Sequence, residues 1–313
     1  MSGKRTEVLD ANAAGVARAA EILCDGGLVA IPTETVYGLA ARADLADAVA
    51  RIYQAKARPD FNPLIVHVGS MAQAEKYAVL DDRAHELARR FWPGSLTMVL
   101  PARADSPIAR AVTAGLPTIA LRMPAHELAL TLLATTELPL AAPSANPSGA
   151  VSPTSAEHVL SGLSERIDAV LDGGPCRAGL ESTIVALRPN GEWQLLRPGP
   201  IDRELLADLL GPESTGPDGG IEAPGQLERH YAPGKPLRLD VSRAEADEFL
   251  IGFGSVAGDC SLSEGGDVDE AAARLYDCLH QAARSAQSRI AVAPIPSQGI
   301  GAAINDRLKR AAA

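Results

Sequence analysis

The sequence predicts an α/β fold, and three observations support this fold class. Short apolar runs typical of buried strands alternate with amphipathic helical segments along the first two thirds of the chain. Hydrophobic residues make up 46% and charged residues 22% of the 313 residues, a composition typical of globular proteins. A Gly/Pro-rich stretch, residues 211–225, then precedes a second, shorter series of elements. We expect a large domain over 1–211, a linker over 212–235 and a small α/β domain over 236–313.

Capping residues and apolar periodicity define the elements of the large domain. Asn12 can cap a first helix that ends at Gly26, and Leu28–Ile31 forms a buried strand. Asp44 can cap the next helix, which ends near Lys56. Further strands are expected at 63–68, 96–100, 118–122, 168–172, 182–187 and 193–197, and further helices at 70–78, 82–91, 125–135 and 202–210.

The small domain has the same alternation on a smaller scale. Strands are expected at 237–239, 249–253 and 290–293, with helices at 269–284 and 300–312. The glycines at 252, 254 and 258 do not have the spacing of a dinucleotide-binding loop, so we expect no nicotinamide site. Gly299 and Gly301 are interpreted as the entry to the last helix rather than an anion site.

Charge and aromatic content argue against a protein that holds nucleic acid. The formal net charge is −10 and aromatic residues are only 4% of the chain. Neither counterion release nor base stacking is favoured by such a composition. We therefore expect no stable binding of nucleic acid.

Cysteine spacing and hydropathy predict a cytoplasmic protein. The four cysteines lie far apart, without the paired spacing of a zinc site or the density of a disulfide framework. The first residues are polar, and no stretch is apolar enough for a membrane span. The six histidines are scattered, and a Gly-x-Ser-x-Gly elbow is absent, which argues against a metal centre and a serine hydrolase.

Two short segments predict a site for a polyphosphate. Lys56 and Arg58 bring two cations together, and Pro59 biases Arg58 towards an extended conformation. The segment Pro143–Asn146 places a hydroxyl and an amide after an apolar run, with Gly149 nearby. Each segment alone is equally well explained by a solvated helix end or an ordinary turn. Together they predict a phosphate-binding cleft.

Other polar residues in or beside apolar strands are candidates for binding an amino acid. Thr33 and Thr35 flank a carboxylate after a strand, although Thr33 would also satisfy turn backbone. His67 shares a strand face with Ile65, although a lone histidine in a strand is more often a core residue. Arg122 ends an apolar strand, where it requires either an anionic ligand or an internal ion pair.

A set of motifs resembles one known family. The chain contains, in order, Pro32-Thr-Glu-Thr-Val-Tyr-Gly-Leu39, Lys56-x-Arg-Pro59, Pro63-Leu-Ile-Val-His67, Trp92-Pro-Gly-Ser-Leu-Thr97, Leu121-Arg-Met-Pro124, Pro143-Ser-Ala-Asn146 and Glu181-Ser-Thr-Ile184. These motifs resemble those of the YrdC-type threonylcarbamoyl-AMP synthases over about residues 15–210. Arg229-His-Tyr-Ala-Pro233 and the tail resemble the long, two-domain form of that enzyme.

This resemblance implies a fold and an activity. The fold is a twisted open α/β sheet with a concave active-site face, followed by a small Rossmann-like domain. The activity joins L-threonine, bicarbonate and ATP into threonylcarbamoyl-adenylate and releases pyrophosphate. The product serves a separate transferase complex that modifies the tRNA anticodon loop. Mg²⁺ is expected with ATP, held mainly by phosphates and water because the sequence lacks a carboxylate cluster.

The resemblance also assigns roles to individual residues. The catalytic phosphate cradle consists of Lys56, Arg58, Ser144 and Asn146. Threonine is bound by Thr33, Thr35, His67, Arg122 and Ser182. The nucleotide is further lined by Asn62, Thr118, Ser152 and Arg197. Independently of the resemblance, we expect Tyr231 and His230 of the 212–235 segment to reach the nucleotide or the intermediate. Ser152 would serve equally well as a helix cap, and we expect the 212–235 segment to close over the cleft as a lid, with a flexible tether as the alternative.

Two other functions remain to be compared with this one. A carbamoyl-transfer enzyme of the hydrogenase-maturation type contains a similar domain, but it also needs zinc fingers, which these cysteines cannot supply. A non-catalytic RNA-binding module is the second alternative, and the acidic charge opposes it.

Overall fold

The computed structural model describes residues 5–214, 220–226 and 230–313. These residues form two separate sheets, one of ten strands and one of four. Arg229 and parts of the expected linker lie outside the described residues. Within those residues, no helix has the length and apolar character needed to cross a membrane.

The first sheet contains parallel and antiparallel pairs and includes every described strand of the large domain. Its strands are β1 (Glu7–Leu9), β2 (Val29–Ile31), β3 (Gly38–Arg42), β4 (Ile65–His67), β5 (Leu96–Pro101), β6 (Thr118–Arg122), β7 (Leu140–Ala141), β8 (Ala169–Leu171), β9 (Thr183–Leu187) and β10 (Trp193–Arg197). Their order across the sheet is β1-β8-β2-β3-β7-β4-β6-β5-β9-β10. Three of these strands, β1, β3 and β7, were not predicted from the sequence.

Seven helices accompany this sheet among the described residues. They are α1 (Ala13–Cys24), α2 (Ala46–Lys56), α3 (Met71–Ala74), α4 (Asp82–Phe91), α5 (Glu127–Thr136), α6 (Ala156–Leu163) and α7 (Arg203–Leu210). The first cap prediction is confirmed, because the Asn12 side chain accepts the backbone N–H of Gly15 at 2.9 Å. The prediction for Asp44 is wrong. Leu45 occupies the cap position of α2 without a side-chain bond, since the Asp44 carboxylate pairs with Arg42 at 2.8 Å.

The order of the strands brings sequence-distant segments to one cleft. β4 lies between β6, which is parallel to it, and β7, which is antiparallel. In this register His67 lies opposite Arg122. β3 pairs with β7, and a further bridge joins Gly38 to Ser144. The motifs that begin at Pro32, Pro63, Leu121 and Pro143 therefore meet at one region of the sheet.

The second sheet is parallel and forms the core of the small domain. It contains β11 (Leu237–Arg238), β12 (Glu248–Gly252), β13 (Cys260–Ser261) and β14 (Arg289–Val292), in the order β11-β14-β12-β13. Helices α8 (Val268–Arg284) and α9 (Ile300–Ala312) accompany it. A Cβ at Gly252 would lie 2.3 Å from the Val256 carbonyl oxygen. Position 252 therefore requires a glycine, because the backbone of the following loop returns too close to leave room for a side chain.

The small domain packs against the large one through an apolar cluster. Val36, Val151 and Leu180 of the large domain are buried together with Leu275 and Leu279 of α8. Two bonds fix the end of the expected linker, because Ala232 donates to the Gly149 carbonyl at 2.8 Å and His230 donates to that of Arg310 at 3.1 Å. The described part of this segment thus lies along both domains.

Candidate active site

One cleft collects most of the residues that the sequence singled out. Eight predicted site residues line it, namely Thr33, Arg58, His67, Arg122, Ser144, Arg197, His230 and Tyr231. Its other described lining residues are Val36, Gly38, Ile65, Ala142, Pro143, Glu181, Pro224 and Gly225. The lining therefore includes three arginines and a single carboxylate.

Lys56 joins the two segments predicted to bind phosphate. It is the last residue of α2, and Ala57 reverses the chain in a left-handed conformation with φ of 50°. The Lys56 ammonium is almost fully buried and donates to the carbonyl oxygens of Ser144, at 2.5 Å, and Asn146. Burial and then the neighbouring Arg58 charge lower the pKa of Lys56. In this structure the ammonium holds the Ser144–Asn146 loop in place.

Two buried asparagines retain polar atoms without a protein partner. The Asn146 amide nitrogen donates to the carbonyls of Pro147 and Ala150, both at 2.9 Å. Its Oδ1 has no hydrogen-bond partner among the described residues, and neither side-chain polar atom of Asn62 has one. Because an unpaired buried polar group is costly, these atoms are suited to a ligand. Asn146 presents an acceptor to that ligand.

Three guanidinium groups give the cleft a positive character. Arg58 donates to the carbonyls of Asn62, at 3.3 Å, and Pro63, at 3.0 Å, and burial lowers its pKa to about 10. Arg197 donates to the Ser182 carbonyl at 2.9 Å. Arg122 is 4% exposed and pairs with Glu34 at 2.5 Å. Cations held in this way in a low-dielectric cleft bind anionic groups strongly.

The two threonines form a hydrogen-bonded pair at one wall. The Thr33 hydroxyl donates to the Val36 carbonyl at 2.6 Å, so it satisfies turn backbone as well as lining the cleft. The hydroxyl oxygens of Thr33 and Thr35 lie 2.9 Å apart. Since Thr33 has only one proton, Thr35 is the donor of this contact. Glu34, between them, points away and accepts the backbone N–H of Ala125 at 3.0 Å.

The two cleft histidines are neutral at physiological pH. Burial, and then the Arg122 charge, lower the pKa of His67 to about 3. Burial also lowers the pKa of His230 to about 3. The Nδ1 atom of each ring is buried without a partner among the described residues. These rings can therefore exchange hydrogen bonds with a ligand without adding charge.

The remaining predicted residues lie behind the cleft or away from it. The Ser182 hydroxyl is 2.7 Å from that of Thr97 and accepts from Arg197 at 3.1 Å. Ser152 does not cap α6, because Ser155 does so. The Ser152 hydroxyl instead donates to Glu181 at 2.5 Å. Thr118 begins β6 opposite Pro101 and is absent from the lining residues described here.

Sequence reasoning missed two carboxylates that hold the site together. Glu34 anchors Arg122, so the internal ion pair left open above is present, while the guanidinium also lines the cleft. Glu181 lines the cleft and is bound by Arg307 and Tyr276 from the small domain. Both carboxylates lie within the family motifs, but their cationic partners are distant in sequence. Only the motif position signalled them.

Two sequence profiles of known protein domains match consecutive parts of this chain. The sequence profile Sua5_yciO_yrdC, described as telomere recombination, matches residues 21–199. A second profile, described as the C-terminal domain of threonylcarbamoyl-AMP synthase, matches residues 201–313. The boundary at 200 assigns α7 to the second profile, although its Leu206 packs in the core of the first sheet.

Individual relatives match over nearly the whole chain. The threonylcarbamoyl-AMP synthase of Bacillus subtilis is 40% identical, with 98% of this chain and 95% of that protein covered. The enzyme of the same name from Pyrococcus abyssi is 40% identical, over 94% of this chain and 92% of the relative. A crystal structure of P. abyssi Sua5 complexed with L-threonine superposes with a TM-score of 0.89, covers 98% of both chains and is 37% identical in sequence.

Proposed function

This chain belongs to the Sua5/YciO/YrdC family, and from that premise we infer that it is a threonylcarbamoyl-AMP synthase. It forms L-threonylcarbamoyladenylate and pyrophosphate from L-threonine, bicarbonate and ATP. The observation that carries this inference is the convergence of three arginines and two neutral histidines on one cleft, beside the Thr33–Thr35 hydroxyl pair. Cations suit phosphate and carboxylate groups, while the hydroxyls suit a polar side chain.

The chemistry asks the protein to position groups and to stabilise charge. The threonine amine and bicarbonate yield a carbamate and water, and a carbamate oxygen then attacks the α-phosphorus of ATP as pyrophosphate leaves. Negative charge accumulates on the phosphate oxygens and the leaving group. Fixed cations stabilise that charge without reorganising during the reaction. Arg58 and Arg197, buried and hydrogen-bonded to backbone carbonyls, are groups of this kind.

We propose separate faces of the cleft for the two substrates. Arg122, His67, Thr33, Thr35 and Ser182 would receive threonine, with its carboxylate on Arg122. Lys56, Arg58, Ser144 and Asn146 would form the phosphate cradle. The rest of the nucleotide would contact Asn62, Thr118, Ser152, Arg197, His230 and Tyr231. The unpartnered polar atoms of Asn62, Asn146 and Tyr231 support this division, because a bound nucleotide would satisfy them.

Magnesium would enter the cleft with ATP. The carboxylate of the lining, Glu181, already accepts bonds from Ser152, Tyr276 and Arg307. The buried and unpartnered Oδ1 of Asn146 fits contact with a hydrated cation, because it is a neutral acceptor. Phosphate oxygens and water would supply the rest of the coordination. When bound, the ion would neutralise phosphate charge.

We propose that residues 1–211 form the catalytic domain and 236–313 the small domain, with 212–235 acting as a lid. Support comes from Pro224, Gly225, His230 and Tyr231, which all line the cleft. A lid would keep water from a carbamate and an adenylate that both decompose readily. The four free cysteines suit the reducing cytoplasm. The product would pass to a tRNA threonylcarbamoyl transferase complex.

A pyrophosphate-release assay tests this function. Release should require ATP, threonine and bicarbonate together, and omission of any one should reduce it to the background rate. Release with ATP and threonine alone, in bicarbonate-depleted buffer, would contradict the proposal. The two alternatives, carbamoyl transfer of the hydrogenase-maturation type and non-catalytic RNA binding, have no support from the relatives named above. An electrophoretic RNA shift in parallel would test the second directly.

A further inference from the structure

The cleft contains a negatively charged side chain that should oppose the binding of its proposed ligands. Under the proposed function, on which this inference rests, the ligands are phosphates, bicarbonate and a carboxylate, and all of them are anions. Glu181 lines the same cleft and is 5% exposed. A carboxylate in the wall of a low-dielectric cleft repels such ligands unless another charge compensates it.

The compensating charge comes from the other domain. Arg307 of α9 is fully buried, and its Nε donates to Glu181 Oε2 at 2.9 Å. Tyr276 of α8 donates to the same carboxylate at 2.8 Å. Ser152 of the large domain completes the set at 2.5 Å. Two of these three donors, and the one cation among them, thus come from the small domain.

A second cation, Arg197, makes this pairing important for the cleft. Although burial acts to raise it, the Arg307 charge and then the Arg197 charge hold the pKa of Glu181 down at about 2. Arg197 itself lines the cleft and contacts Ser182, the residue after Glu181. If Arg307 were lost, Arg197 would be the cation left to stabilise the Glu181 carboxylate. Its charge would then compensate Glu181 instead of a bound anion.

We propose that Arg307 is a positioning residue for the synthase reaction, supplying from the small domain the counter-ion that keeps Glu181 from competing with substrate anions for Arg197. The small domain thus completes the electrostatics of a cleft whose lining comes from the large domain and the linker. Arg307 does not line the cleft itself, and it acts through Glu181.

This role differs from two simpler ones. Arg307 also lies 5.3 Å from the centre of the Tyr231 ring, so it supports the segment that covers the cleft. It also bonds to the Pro198 carbonyl at 2.9 Å, so it contributes to domain packing. Neither of these contacts depends on the charge of Glu181. Neutralising Glu181 should therefore rescue the loss of Arg307 only if charge compensation is its function.

The experiment compares four variants of the full chain with the wild type: Arg307→Met, Glu181→Gln, the double variant and Arg307→Lys. Steady-state pyrophosphate release gives kcat and KM for ATP, and thermal unfolding monitors the fold. We expect Arg307→Met to lower kcat/KM for ATP about 100-fold, mainly through KM, because a buried charge is left uncompensated. The double variant should recover to within about tenfold of the wild type, and Arg307→Lys should lie between the two.

A matched control is available at the same domain interface. Arg284 of α8 pairs with Glu157 of α6 at 2.8 Å, but both side chains are largely exposed. Arg284→Met removes an interdomain ion pair without changing the charge of the cleft. It should keep kcat/KM within about twofold of the wild type, because exposed pairs contribute little.

The double variant decides the outcome even if Arg307→Met does not fold. It contains no uncompensated carboxylate at this site, and Asp306, the other carboxylate paired with Arg307, keeps Arg310 at 3.1 Å. A double variant that folds and regains activity supports the proposal. One that folds but is as inactive as Arg307→Met, or that does not fold, overturns it in favour of a structural role. A wild type without threonine-dependent release would instead contradict the proposed function.

Discussion

The ammonium nitrogen of Lys56 lies 2.5 Å from the backbone carbonyl oxygen of Ser144. This contact joins the end of α2 to the loop after β7, 88 positions later in the sequence. A cation held by backbone carbonyls braces a loop more rigidly than a solvated one, because both partners are buried. Arg58, two residues beyond, is one of the three arginines that line the cleft.

Removing that cation should impair the reaction more than the fold. We expect Arg58→Ala to cost about 2–4 kcal/mol in transition-state stabilisation, because charge on the phosphates grows as pyrophosphate leaves. The measurement is kcat/KM for ATP in the pyrophosphate assay, with thermal unfolding beside it. Arg90→Ala, an exposed arginine of α4, is the matched control. Near-normal turnover in Arg58→Ala would remove Arg58 from the phosphate cradle.

The amino-acid site should distinguish the threonine hydroxyl from a methyl group. Thr33, Thr35 and the unpartnered Nδ1 of His67 form a polar surface that valine would leave unsatisfied. We therefore expect adenylate formation to be far slower with valine than with threonine. Serine keeps the hydroxyl and loses one methyl, which costs about 1–3 kcal/mol. Equal rates with valine and threonine would contradict a pocket that reads the hydroxyl.

Acid should destabilise the protein through His67. Its pKa is about 3 in the fold, against 6.5 for the free side chain. Between these values the unfolded chain binds a proton that the native state does not, so the free energy of unfolding falls as pH decreases. We expect His67 to lower the free energy of unfolding by about 2 kcal/mol between about pH 7 and pH 5.

This contribution of His67 is measured by urea unfolding of the wild type and of His67→Gln, each at about pH 7 and about pH 5. The variant should lose less stability on acidification, because its side chain does not titrate. His230 is present in both proteins, so its own low pKa cancels in the comparison. Parallel losses in the two proteins would show that His67 is protonated in the native state.

Bound substrates should protect the segment between the domains. Tyr231 is buried, and its hydroxyl has no partner among the described residues, which suits contact with a nucleotide or the intermediate. With ATP and threonine present, limited proteolysis within residues 212–235 should slow. A chain truncated after Gly211 should lose activity or release its intermediate. A truncated chain as fast as the whole, without ligand-dependent protection, would refute the lid.

Much of the cleft follows from local sequence patterns. Apolar strands that contain His67 and Arg122, and a helix that ends near Lys56, could be located from periodicity alone. Their convergence depends on strand order, and the family resemblance supplied it. The antiparallel strand β3 was missed because it begins at a glycine within a loop motif and contains two alanines and no β-branched or aromatic residue, a weak strand signal.

Charge partners were the part that local patterns could not provide. Asp44 was expected to cap α2, but Arg42, two residues earlier, takes its carboxylate. Glu181 and Arg307 are 126 positions apart and meet only when the domains pack. A helix or strand period constrains which face is apolar, whereas it gives no information about which distant cation reaches a buried carboxylate.

The most direct test of the account follows the carbon of bicarbonate into the product. The enzyme is incubated with ATP, threonine and isotopically labelled bicarbonate, and the adenylate is identified by chromatography and mass spectrometry. We expect a labelled threonylcarbamoyl-adenylate to accumulate in step with pyrophosphate, and to be absent when threonine is omitted. An adenylate of threonine without the labelled carbon, or pyrophosphate without any adenylate, would contradict the proposed synthase activity.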